Sequence, residues 1–311
     1  IPRLKSEWKK ILRVIEAYQD RIDPTYMTPA PEFGRRQHLV AKALKDNGFD
    51  VGIVFSDEHY CGDVPYLGGN SNVSVEQVAG VMGPEGFHIV AGLEGGYVAE
   101  QLSPRSGAKV HKAELLQLAD EKYPVAAERL EDILSAAGGR PWQEIKRVAL
   151  LTPRQVIPAS LVEYLEKLLG KKGVVDAQHL YFHIKYIKSD VEMRLIRDAC
   201  AVADAMMRGM LAVLRPGMLE TEVVAWGYFI GRELGCEDTG FKLMCGSDEA
   251  NRTLIGKALN RPVKKGEWVH LGVAPTRDGM NSCIRRSVIA VEKPSQVTPD
   301  QKYWLFLKNS G

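Results

Sequence analysis

Residues 260–287 read NRPVKKGEWVHLGVAPTRDGMNSCIRRS. Lys264-Lys265-Gly266-Glu267 is a polar turn, and residues 268–273 follow as an apolar, partly alternating run, the pattern of a half-buried strand. Arg277-Asp278-Gly279 places Asp-Gly where a two-residue hairpin turn wants it. Residues 280–291 then return as the partner strand. Turn, strand, Asp-Gly and strand together predict an antiparallel hairpin.

The stretch also resembles the creatinase/prolidase/aminopeptidase P family, whose fold is called pita-bread. In that family a K-x-G-D/E turn precedes a strand ending in D-L-G, and a G-Y-x-S-D-x-x-R-T partner follows. Lys265-Gly266-Glu267, Leu271-Gly272, Gly279, Ser282 and Arg286-Ser287 fall in register with that frame. His270 and Cys283 stand where the family's metallopeptidase branch has two metal-binding aspartates. A second resemblance lies upstream, in I-K-S-x-x-E at residues 187–192 and R-P-G-M at 215–218, which is similar to the entry into the pita-bread domain. A third is Tyr66-Leu67-Gly68-Gly69, similar to the Y-L-T/S-G after the first strand of creatinase-type N-terminal domains.

Composition sets the outer bounds. The chain has 311 residues, 45% hydrophobic and 26% charged, which fits a globular protein of two domains. A formal net charge of +2 argues for neither nucleic acid nor an anionic membrane as partner. No stretch reaches the ~18 apolar residues of a membrane span. The five cysteines, Cys61, Cys200, Cys236, Cys245 and Cys283, are odd in number and form no C-x-x-C pair, as expected of a reduced, cytoplasmic setting.

Local patterns order the chain. Trp8, Ile11, Leu12, Ile15 and Tyr18 fall on one side of a helix over residues 4–21. A helix over 35–46, a strand over 49–56, strands over 73–82 and 87–93 joined by Gly83-Pro84-Glu85-Gly86, a helix over 125–137, and a strand, helix and strand over 147–176 predict an α/β arrangement. Ser189-x-x-Glu192 is a capping box, and Met193, Ile196, Cys200, Ala203, Met207 and Leu214 continue it at helical spacing. Thr298-Pro299 opens a last helix as N-cap and first-turn proline. With the resemblance, this implies a helical extension over 1–31, an α/β creatinase-type N-terminal domain over 32–178, and an α+β pita-bread domain over 179–311 of which only the first part is present. The family's second half supplies further histidine and glutamate ligands.

The candidate site residues follow. His270 and Cys283 could share a Zn ion, which accepts imidazole nitrogen and thiolate sulfur; as ordinary strand residues they would simply replace lost ligands. Arg286 could hold a substrate carboxylate in a bidentate fork or stand behind the site, and Arg285 beside it is the alternative fork. Asp248 and Arg252, with Ser247, Glu249 and Asn251, lie in the loop before the hairpin, where an acid could serve as general base or bind a cationic substrate. Cys283 as a nucleophile would need a neighbouring base.

Hard cations such as Mn²⁺ prefer carboxylate oxygens, and the two aligned positions offer an imidazole and a thiol. The expectation is therefore no metal cofactor, with Mn or Zn as the alternative. Creatinase is the family's metal-free branch, so the resemblance implies a metal-independent hydrolase of a small C–N-bonded substrate. The alternatives are a metal-dependent Xaa-Pro aminopeptidase or dipeptidase, and a non-catalytic pita-bread binding module. The expected partners are a small-molecule or short-peptide substrate and a second copy of the chain in a homodimer.

Overall fold

The computed structural model of the chain describes residues 2–74, 76–118, 126–247 and 255–310. Contacts divide it into two units, Ile1–Met27 with Glu192–Gly311, and Thr28–Val191. The first helix, α1 (Pro2–Tyr18), belongs to the former. Its apolar side is the expected one: Ile11 and Tyr18 are buried, while Trp8 remains 39% exposed against the rings of Trp226 and Phe229.

The unit Thr28–Val191 contains α2 (Ala30–Asp46), β1 (Val51–Ser56), α3 (Asp63–Gly68), β2 (Val78–Gly83), β3 (Gly86–Ala91), α4 (Leu93–Leu102), β4 (Lys109–Lys112), α5 (Leu130–Gly138), β5 (Val148–Leu150), α6 (Ala159–Leu169), β6 (Val174–Asp176) and α7 (Gln178–Tyr186). Six strands form one sheet in the order β4-β3-β2-β1-β5-β6. The pairs β1–β2 and β2–β3 are antiparallel and the other three parallel. This is an α/β unit, as the alternation of patterns predicts. Ile53, Phe55, Val81, Ile133, Leu134, Val148, Leu150 and Leu165 meet in its core.

Three helices of this unit depart from the sequence expectation. The stretch after β1, where the sequence patterns predict no helix, contains α3, and α7 begins at the expected domain boundary near residue 178. The third, α4, starts with Leu93-Glu94-Gly95-Gly96, a poor helix opening by propensity. Its start is held from a distance instead: the buried Glu76 carboxylate accepts from the Gly95 N–H at 2.6 Å. A Cβ on Gly95 would lie 2.4 Å from that carboxylate, so the glycine permits the approach. The strand expected to begin at residue 73 begins at Val78.

The other unit continues with α8 (Asp190–Val213), α9 (Glu220–Glu233), β7 (Asp238–Thr239), β8 (Met244–Ser247), β9 (Trp268–Val273), β10 (Pro275–Arg277), β11 (Met280–Asn281), β12 (Ile284–Ile289) and α10 (Pro299–Asn309). The long helix is where the capping box and apolar stripe put it, and the last one starts on Thr298, whose hydroxyl accepts from the Gln301 N–H at 3.2 Å. Strands pair as β12-β9-β8 and as β11-β10-β7. Val202, Met206 and Met210 of α8, Val223 and Ile230 of α9, and Val269, Leu271 and Val273 of β9 share one core with Ile11.

The hairpin keeps a single register from end to end. Trp268 pairs Ile289, His270 pairs Ser287 and Val273 pairs Ile284; nearer the tip, Thr276 pairs Asn281 and Arg277 pairs Met280. Asp278 (φ 44°) and Gly279 (φ 78°) both take positive φ, the type I′ turn that matches strand twist. Arg277, 2% exposed, anchors the tip by donating to the carbonyls of Asp23, at 2.9 Å, and Gly235.

Candidate active site

Strand parity sorts the hairpin into two faces. Val269, Leu271 and Val273 enter the core beneath α8 and α9. Trp268, His270 and Gly272 point to the opposite face, joined across the ladder by Ile289, Ser287 and Arg285 and on β8 by Met244 and Gly246. His270 is 6% exposed, with Nδ1 3.3 Å from Ser287 Oγ and no hydrogen-bond partner for Nε2. Burial, then the positive charges of Arg285 and Lys308, hold its pKa below the ordinary histidine value, so the ring is neutral.

Cys283 lies on the same face but farther out. Between the rungs Ile284–Val273 and Asn281–Thr276, with the Ser282 N–H on the Pro275 carbonyl at 3.2 Å, it falls opposite Ala274. That is four residues from Ser287, about 13 Å along the strand. Two ligands of one Zn ion stand within ~4.5 Å of each other. Register thus separates His270 from Cys283, and the shared Zn site is ruled out by geometry. Cys283 is exposed, as is Arg286, whose Nη1 donates to the Arg285 carbonyl at 2.7 Å. Arg286 pairs with Leu271 and so is on the other face from His270. Arg285 lies over the Phe241 ring at 5.6 Å. Asp248 and Arg252, with Glu249 and Asn251, lie outside the described residues.

The residue that organises the approach to the hairpin is one that the sequence analysis did not single out. Glu220, in the first turn of α9, is fully buried. Its Oε1 accepts from the Ser247 N–H at 2.8 Å, the Ser247 hydroxyl at 2.7 Å and Arg261 Nη2 at 2.6 Å; Oε2 accepts from the Leu259 N–H at 3.0 Å. One carboxylate therefore joins Ser247, at the end of β8, to Leu259 and Arg261 ahead of the hairpin. The signal was present in the sequence as an acid placed just after R-P-G-M and an arginine before the hairpin, but nothing there joined the two.

Comparison with known proteins places this unit. Residues 194–307 match the model of metallopeptidase family M24. The chain is similar to an Xaa-Pro dipeptidase of Pyrococcus horikoshii, at 22% identity over 219 residues, covering 70% of this chain and 60% of that protein. Among solved structures it resembles the X-Pro aminopeptidase of Thermotoga maritima (TM-score 0.65, 16% identity, 84% of this chain and 66% of that one). It also resembles the prolidase of P. horikoshii (TM-score 0.63, 18% identity, 86% and 67%). The chain spans roughly three fifths of the curated relative's length. At these identities the structural likeness speaks to the fold alone, which the chain shares with these X-Pro aminopeptidase and prolidase structures.

The match corrects one expectation. A chain without a cofactor was expected from His270 and Cys283, but the family whose model fits is one of metallopeptidases, which points to a metal of the Mn or Zn kind. The described residues do not fit such an ion by themselves. No group of three or more His, Cys, Asp or Glu among them could hold a metal, and the imidazole that faces away from the core is flanked by two cations.

Proposed function

We propose that the protein is a hydrolase of short peptides, of the metal-dependent Xaa-Pro aminopeptidase or dipeptidase kind. The observation that carries this reading is the match of residues 194–307, which include most of α8, all of α9 and the whole hairpin, to metallopeptidase family M24. What this chain contributes is placement: Glu220 ties Ser247 to Leu259 and Arg261, and the Asp278-Gly279 turn closes the hairpin. In this reading residues 32–178 are a creatinase-type N-terminal domain and 179–311 the first part of a pita-bread domain. The protein acts in the cytoplasm, where its five free cysteines stay reduced.

The test is hydrolysis of Ala-Pro and Ala-Pro-Ala by the purified protein, stripped with a chelator and then given Mn²⁺ or Zn²⁺. Activity lost on stripping and restored by one of these ions is the expected result. Absence of Xaa-Pro cleavage with either ion would overturn the reading. We also propose a homodimer, on the family resemblance; sedimentation equilibrium returning a monomer at micromolar concentration would refute it.

A further inference from the structure

The face of the hairpin turned away from the core gathers positive charge around one incomplete group. Trp268 and His270 are two apart on β9 and so project together. Gly272 pairs with Arg285 and His270 with Ser287, which makes Arg285 the diagonal cross-strand neighbour of His270, a spacing long side chains reach across. From α10, Lys308 sets its Nζ 4.9 Å from the centre of the Trp268 ring. The helix itself is tied to the strand, since the Asn309 side chain accepts from the Ser287 N–H and donates to the Ser287 carbonyl, both at 3.0 Å. Lys308 is thereby placed by a structured contact rather than by a free end.

Within this group the His270 Nε2 is buried and has no partner. An unmet ring nitrogen is costly to keep buried unless a ligand completes it. Two cations on the same face decide which ligand: they repel a second cation and attract an anion. The guanidinium fork matches the two oxygens of a carboxylate, and the ammonium adds a point charge. If the Ser287 hydroxyl donates to Nδ1, the ring proton lies on Nε2, where it can donate to one of those oxygens.

We propose that His270, Arg285 and Lys308 form a carboxylate-binding subsite that takes the free carboxylate end of a short peptide substrate. The assignment rests on the peptidase reading for its ligand, and on the hairpin geometry for its existence.

The experiment is an NMR titration of the protein, labelled at histidine, with acetate as the probe. A saturable shift of the His270 signals is expected. Arg285→Gln and Lys308→Gln should each weaken acetate binding about tenfold, while Lys264→Gln, at the distant turn, leaves it unchanged. Circular dichroism of the variants separates lost binding from lost folding. Ala-Pro should compete with acetate, and Ala-Pro amide should not. No shift at His270, a shift that survives both substitutions, equal competition by the amide, or a His270 signal that answers to Zn²⁺ but not to acetate would each overturn the subsite. Failure of Xaa-Pro cleavage with acetate binding intact would overturn the peptidase reading alone; intact cleavage without acetate binding would overturn the subsite alone.

Discussion

Two buried ionisable residues carry the sharpest tests at the scale of single side chains. Glu220 accepts five hydrogen bonds and pairs with Arg261, which also donates to the Ser247 carbonyl. Glu220→Ala removes the acceptor but leaves its donors, so the loss of stability should be about 3–5 kcal/mol. Urea unfolding that shows less than ~1 kcal/mol would contradict this account of the loop. His88, on β3, is fully buried, with Nδ1 2.9 Å from His111 Nε2; His111 Nδ1 in turn lies 2.8 Å from Glu128. Burial, then the charges of His111 and Lys109, lower its pKa to about 4, against smaller raising contributions from Glu85 and Glu128. The folded state therefore binds fewer protons than the unfolded one between about pH 6.5 and pH 4. The stability this residue allows is present above pH 6.5 and lost as pH falls toward 4, by up to about 3 kcal/mol. His88→Gln should flatten that part of the stability profile measured by urea midpoints at pH 7 and pH 4.5; equal slopes for both proteins would count against it.

Elements depend on where backbone meets backbone. At the β2–β3 turn, a Cβ on Gly83 would lie 2.2 Å from the Ala137 carbonyl oxygen at the end of α5. Neither backbone can yield cheaply, so Gly83→Ala should cost roughly 1–3 kcal/mol, read as a lower thermal midpoint. No measurable change would mean that the strand and helix do not meet as closely as described. The hairpin tip is a second such place. Gly279→Val forces a β-branched residue into positive φ, and a cost of about 1–2 kcal/mol is expected, again by thermal unfolding. Wild-type stability in that variant would argue against the type I′ turn.

At the scale of the whole molecule, Thr28–Val191 and the other unit each have a core of their own. A fragment of residues 28–191 should therefore unfold cooperatively on its own, as followed by circular dichroism; a non-cooperative melt would show that the unit is not autonomous. The N-terminal helix belongs elsewhere. Ile11, Tyr18 and Ile22 sit in the core of α8, α9 and β9, and Glu7 accepts from Trp226 Nε1 at 2.9 Å and Arg215 at 2.5 Å. Deleting residues 1–22 should expose that core and lower the stability of the unit from 192 onward, with the fragment 28–191 as the control that does not change. The described chain has no helix long and apolar enough to cross a membrane.

The sequence by itself determined the elements whose cause is local. Asp278-Gly279 dictates a two-residue turn because only such residues accept two positive φ values cheaply, and the alternating run beside it then sets the register. The apolar stripe behind Ser189 dictates α8, and Thr298-Pro299 starts α10. The same local reasoning placed His270 and Cys283 on one hairpin, yet could not tell that a fixed register puts them about four residues apart along the ladder. Tertiary structure alone decided what depends on partners distant in the chain. Helix α4 begins because Glu76 reaches the Gly95 N–H from 19 residues away, and the loop before the hairpin is held because Glu220 meets Arg261 across 41. The charge around His270 likewise comes from Arg285 and Lys308, on two other elements. Propensity and periodicity report a residue's neighbours in sequence; a buried carboxylate or an unmet imidazole is defined by its neighbours in space.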